Sequence, residues 1–125
     1  MHALVIEDQY LIAMLIEDEL RDLGYTSFDF VTREREAVEA AARRCPDLIT
    51  ADNKLTDGTG VIAVQEICEK QVIPVVFIVA APKSIEAPVP FAAIVAKPFE
   101  ARALRSAIGD ALVLAREHRA AGMIG

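Results

Sequence analysis

Residues 73–82 read IPVVFIVAAP, the longest apolar run in the chain. It falls far short of the ~20 residues that a helix needs to cross a bilayer. A run this continuous reads as a strand over Pro74–Ala80, buried on both faces and therefore central in its sheet. Working outward, strand-like and helix-like segments alternate. Asp47–Asp52 (DLITAD) is a strand, and Asn53–Gly60 is a loop marked by Asp57-Gly58 and Gly60. A helix follows, with Val61, Ile62, Val64 and Ile67 inward. Farther upstream, Ala3–Glu7 is the first strand. Residues 9–23 place Leu11, Ile12, Leu15, Ile16, Leu20 and Leu23 at helical spacing, with acids on most of the other face and Gly24 at the C-cap. Tyr25–Val31 is the second strand. Thr32 is expected to N-cap a helix that runs to about Arg44, before Pro46. Downstream, Pro82, Pro88 and Pro90 leave room for at most one turn, around Lys83–Glu86. Phe91–Ala96 is the fifth strand. Glu100–Arg119 is the last helix, with Leu104, Ile108, Leu112 and Ala115 along one stripe, and Arg119–Gly125 is expected to fray.

Strands alternating with helices imply a parallel sheet covered on both faces. Right-handed crossovers leave few topologies, and the commonest doubly wound order for five strands is the flavodoxin-like 2-1-3-4-5. The expected fold is therefore α/β, with a shortened or missing helix 4.

The composition agrees. At 125 residues the chain fits one domain, and 54% hydrophobic against 26% charged residues marks it as globular rather than disordered. A formal charge of −6 argues against nucleic acid and anionic membranes as partners. Cys45 and Cys68 follow no metal-binding spacing and no C-x-x-C pattern, and read as two small buried hydrophobes in a reducing compartment. The N-terminus MHALVIEDQY has no basic region ahead of its apolar run, so no signal peptide is expected and the chain is placed in the cytoplasm.

In such a sheet, ligands bind beyond the carboxyl ends of the strands, at the switch point between strands 1 and 3. Strand 1 ends in Glu7 and Asp8, strand 3 in Asp52, and Lys97 follows strand 5. Three carboxylates brought together repel one another and raise each other's pKa values. A hard divalent cation with oxygen ligands neutralises them, and Mg²⁺ suits because it also accepts a phosphate oxygen. The lysine supplies a movable positive charge, and a carboxylate can act as nucleophile and form an acyl phosphate. The expected chemistry is phosphoryl transfer to an aspartate. Asp57 reads as a turn residue before Gly58, and His2 and His118, near opposite termini, are not read as ligands or bases.

The blocks VIEDQYLIAMLIEDEL, LITADNKLTDGTG, IPVVFIVA and VAKPFE together resemble the response-regulator receiver domain of two-component signalling, over about residues 2–118. The resemblance implies Asp52 as phosphoacceptor, with Glu7, Asp8, Asp52 and the Lys54 backbone carbonyl as Mg²⁺ ligands. It also implies Lys97 as the phosphoryl contact and a cis bond before Pro98. The compact ADNKLTDGTG loop and the proline-rich stretch after strand 4 are similar to alphaproteobacterial receivers. That group includes stand-alone receivers and others fused to anti-anti-sigma modules of the general stress response. The chain is then expected to be a single receiver domain with no effector, and not an enzyme beyond its own phosphorylation and dephosphorylation. Its phosphoryl donor would be a histidine kinase or a histidine phosphotransfer protein. Its output would be contact with a downstream protein, as a monomer or weak dimer.

Two positions depart from the family pattern. Receivers carry Thr or Ser at the end of strand 4, where this chain has Val79, and an aromatic residue where it has Ile94. Losing a hydrogen bond to a charged group removes roughly 1.5–3 kcal/mol of preference for an activated state. Thr56 replaces the usual loop proline, and Lys54 is placed to pair with a phosphoryl group. A phosphorylation-insensitive binding module is the alternative to a working switch. A metal-dependent phosphatase is a third reading, but the chain has no D-x-D pair, no Gly-rich phosphate loop and no catalytic histidine.

Overall fold

Every residue of three short segments, β1 (His2–Ile6), β3 (Leu48–Ala51) and β4 (Val75–Val79), is buried, which is why these stretches carry almost no polar side chains. They form the centre of a five-stranded parallel sheet whose edges are β2 (Ser27–Val31) and β5 (Ala92–Ala96), in the order β2-β1-β3-β4-β5. The computed structural model describes residues 1–85 and 89–124. The helices are α1 (Tyr10–Asp22), α2 (Glu34–Arg43), α3 (Gly60–Ile67) and α4 (Ala101–Ile124).

Alternation along the strands divides the core into two layers. Leu4, Ile6, Ile49, Ala51, Val75, Phe77 and Val79 face α2 and α3. Ala3, Val5, Leu48, Val76 and Ile78 face α1 and α4. The sheet is thus doubly wound, and the crossover from β1 through β2 back to β3 creates the expected switch point.

Among the described residues between β4 and β5 the chain makes one 3₁₀ turn, Pro82–Ser84. The turn expected around Lys83–Glu86 is therefore present, although Glu86 and Pro88 lie outside the described residues. Gly24 follows the C-cap Leu23 with φ +100° and donates to the Arg21 carbonyl, which closes α1 as expected.

Several helix expectations are corrected. On α3, Ile62 points outward and is 47% exposed, while Ala63, Val64 and Ile67 face the core. On α4, Leu112 is 40% exposed, and the buried stripe runs through Leu104, Ala107, Ile108, Ala111 and Ala115. On α1, Leu11 and Leu15 are exposed, and Ala13, Ile16 and Leu20 are buried. In each case the buried line runs beside the expected one and includes at least one alanine. Thr32 does not cap α2. Arg33 occupies that position without a side-chain cap, and Thr32 instead leans toward Glu36. Nor does helix end at Arg119: α4 continues to Ile124, with the Arg119 guanidinium donating to the Val72 carbonyl and His118 packed against Phe91 at 4.9 Å. His2 is buried at the opposite end of the sheet from Glu7, held between Ser27 Oγ at 3.0 Å and Asp29 Oδ2 at 2.9 Å.

Candidate functional site

Backbone pairing puts the charged residues in place. The Glu7 N–H donates to the Val31 carbonyl at 3.0 Å, and the Asp52 N–H donates to the Ile6 carbonyl at 2.9 Å. The Lys97 N–H donates to the Val79 carbonyl at 2.8 Å. Each residue thus extends the sheet's hydrogen bonding one step past its strand, which holds its backbone in line with the sheet edge.

The side chains then converge. Lys97 Nζ lies 2.9 Å from Glu7 Oε1 and 2.9 Å from Asp52 Oδ2. Toward Asp52 this is a directed hydrogen bond. Toward Glu7 it is an ion pair off the hydrogen-bond direction, so buried Oε1 has no hydrogen-bond partner among the described residues. Glu7 Oε2 accepts from the Gln9 N–H at 3.1 Å. Burial pushes the Glu7 carboxyl above its ordinary value and the Asp52 charge adds to this, while Lys97 and the Gln9 N–H oppose it. Burial acts to lower the Lys97 ammonium, but its contacts with Glu7 and Asp52 outweigh that and hold it above its ordinary value. The Lys97–Pro98 peptide is cis, as expected.

Asp8 stands exposed at the rim. One oxygen from each of Glu7, Asp8 and Asp52 lies within 4.8 Å of the others. One ammonium cannot balance three carboxylates in so small a space. Glu7 Oε1, buried and faced only by the Lys97 ammonium among the described residues, belongs to an all-oxygen donor set that fits a hard divalent cation.

A cleft of about 260 Å³ opens beside Asp52, lined also by Asn53, Lys54, Val79, Ala80, Ala81 and Ile85. Its β4 wall is apolar, since Val79 presents methyl groups where a hydroxyl would be expected in the family. Ile94 is not among the lining residues. It sits on β5 in register with Phe77 and is 38% exposed.

The structure adds three residues that sequence reading did not assign. Gly60 abuts the Asp52 backbone, and a β-carbon there would overlap the Asp52 carbonyl oxygen. Thr59 caps α3, its Oγ1 accepting from the Ile62 N–H at 3.2 Å. A Thr just ahead of an apolar helical stretch is a signal that could have been read. Glu34 accepts from the Thr59 N–H at 3.0 Å across 25 residues of sequence, and no local pattern announces that contact.

Residues 3–109 match the family model of the response regulator receiver domain. The chain is 36% identical over 121 residues to the phyllosphere-induced regulator PhyR of Methylorubrum extorquens, which covers 93% of this chain and 45% of that protein. It therefore spans less than half the length of that curated relative. The receiver domain of Erythrobacter litoralis PhyR superposes with a TM-score of 0.77 at 33% identity, over 90% of this chain and 89% of that one. The receiver domain of the sensor histidine kinase PA1611 of Pseudomonas aeruginosa has a magnesium ion coordinated in its active-site cleft. It superposes with a TM-score of 0.76 at 27% identity, over 89% of this chain and 96% of that one.

Proposed function

The chain belongs to the response-regulator receiver family, and on that premise we propose that Asp52 is its phosphoacceptor. An Asp52 carboxylate oxygen attacks the phosphorus of a phosphohistidine on a kinase or phosphotransfer protein. The P–N bond breaks, the imidazole leaves with its electron pair, and an acyl phosphate forms on Asp52. The observation that carries this reading is the single ammonium of Lys97 held 2.9 Å from both Glu7 and Asp52. That position lets Lys97 turn from two carboxylates to a phosphoryl oxygen without leaving the site.

Glu7, Asp8, Asp52 and the Lys54 carbonyl are the residues that would hold Mg²⁺. When bound, the ion neutralises charge on the carboxylates and on the incoming phosphoryl oxygens. Exposed Asp8 gives it an approach from solvent, and Lys54 borders the cleft where it can pair with the phosphoryl group. The output is contact with a downstream protein, and the place of action is the cytoplasm. Among the described residues no helix is long and apolar enough to cross a membrane. A receiver domain of this kind, acting as monomer or weak dimer, signals through such partners. Labelling with acetyl phosphate and Mg²⁺ tests the reading: the native chain gains one phosphoryl group, and Asp52→Asn gains none. Equal labelling of both, or of neither, refutes it.

A second reading is favoured by the apolar wall at Val79, which has no hydroxyl to turn toward a phosphoryl group. In that reading the pocket is retained but the surface does not respond. Amide spectra with and without beryllofluoride separate the two. Shifts reaching Ile94 support a switch, and shifts confined to the pocket support the insensitive module.

A further inference from the structure

The loop that follows Asp52 is fastened to the start of α2, on a separate crossover. The Thr56 N–H donates to the Thr32 carbonyl at 3.1 Å, and the Glu34 N–H donates to the Asp57 carbonyl at 3.0 Å. Arg33 and Asp57 form an isolated parallel bridge. These are backbone contacts, available to many sequences. One side chain completes them: Glu34 Oε1 accepts from the Thr59 N–H at 3.0 Å. Gly58, with φ +82°, lies flat beneath that side chain, and a β-carbon there would meet Glu34 Cβ and Oε1 at 2.5 Å.

Thr59 is where the loop's geometry is decided. It bridges Lys54 in antiparallel fashion, and it N-caps α3. Its neighbour Gly60 donates to the Asn53 carbonyl at 3.0 Å and lies against the Asp52 backbone. Moving Thr59 therefore moves Lys54 on one side and the Asp52–Gly60 contact on the other. A charged acceptor makes the stronger kind of hydrogen bond to a backbone N–H.

We infer that Glu34 is a positioning residue for the phosphoryl and cation site, acting through Thr59 on the Lys54 carbonyl and the Asp52 backbone. The inference rests on the phosphoacceptor reading given above. Groups that orient cation ligands without touching the ion typically change its affinity by about 10–100-fold. Gln at position 34 retains an oxygen acceptor of the same reach. Met retains the bulk over Gly58 and loses the acceptor.

The test compares Glu34→Gln, Glu34→Met and the control Glu39→Gln in the full chain labelled with ¹⁵N. Among the described residues Glu39 pairs only with Arg35, on the exposed face of α2, so its replacement removes the same charge without touching the loop. Two quantities are read: the exchange rate of the Thr59 amide without metal, and the Mg²⁺ dissociation constant from amide shifts at Asp8 and Lys54. Glu34→Met is expected to speed Thr59 exchange and weaken Mg²⁺ binding, each by about tenfold. Glu34→Gln is expected to stay close to the native chain in both, and Glu39→Gln to match it. The inference is overturned if Thr59 is as protected in Glu34→Met as in the native chain. It is also overturned if exchange rises with Mg²⁺ affinity unchanged, or if Gln fails as Met does. A native chain that shows no response to Mg²⁺ overturns the phosphoacceptor reading instead, and the exchange comparison still decides the part played by Glu34.

Discussion

Gly60 lies so close to Asp52 that a β-carbon at position 60 would overlap the Asp52 carbonyl oxygen. The obstacle is backbone, which cannot rotate aside as a side chain would. Gly60→Ala is therefore expected to destabilise the fold by about 1–3 kcal/mol, as overpacking does. Gly109, inside α4, has nothing within 4 Å of its would-be β-carbon. Gly109→Ala should stabilise by roughly 0.5–1 kcal/mol through helix propensity. Urea unfolding of the two variants should shift the midpoint in opposite directions.

Glu7 gives the fold a pH dependence whose sign can be worked out. Its carboxyl is raised above its ordinary value of 4.5, chiefly by burial. Between 4.5 and the raised value the folded chain holds a proton that the unfolded chain has lost. Stability from this group therefore declines as pH rises through that window. Glu7→Gln has no such proton, so its stability relative to the native chain should climb across the window and then level off. Lys97 is raised above 10.5, so its contribution is complete below that value and is lost as pH rises beyond it through the folded value. Urea titrations at a series of pH values in chelator would show both. A flat difference between Glu7→Gln and the native chain would count against the burial argument.

Cys68 should be a poor nucleophile in the folded chain. Burial pushes its thiol from 9.0 up to about 11. At pH 8 that lowers the thiolate fraction about a hundredfold. Iodoacetamide mapping by mass spectrometry should find Cys68 modified at least that much more slowly in the folded chain than in denaturant. Cys45 is not buried as the sequence suggests but exposed just past the end of α2, and should react first. Equal rates at the two cysteines would refute the assignment.

Val79→Thr puts a hydroxyl into the wall of the Asp52 cleft. Without a phosphoryl group that hydroxyl is buried with little to bond, so a stability loss of about 1–3 kcal/mol is expected. With beryllofluoride present the loss should shrink, and amide shifts should extend farther along β4 and β5 than in the native chain. A variant whose loss is unchanged by beryllofluoride would show that the side chain at position 79 does not reach the phosphoryl position.

The acidic cluster was legible because each of its members sits at the end of a strand. Apolar runs such as LITA and VVFIV mark where strands stop, and a parallel sheet places all those stops on one edge. Glu7, Asp52 and Lys97 could therefore be brought together from local pattern and topology alone. Ile62 and Leu112 were misplaced for a related reason. Helical periodicity identifies an apolar stripe but not its centre line, and on both helices the buried line includes alanines that the periodic large residues do not mark. His2, which the sequence reads as neither ligand nor base, is held in place away from the site by two side chains from β2.

The order of strands, the doubly wound layers, the proline-shortened connection between β4 and β5 and the charges at the switch point all follow from the sequence by itself. They depend on periodicity, prolines and strand ends, which are local properties of the chain. Only the tertiary structure decided that Gly60 rests against the Asp52 backbone, that Lys97 divides itself between Glu7 and Asp52, and that Glu34 reaches Thr59 from another crossover. Those contacts join residues distant in sequence. They are set by how closely two loops approach, a quantity that no local pattern encodes.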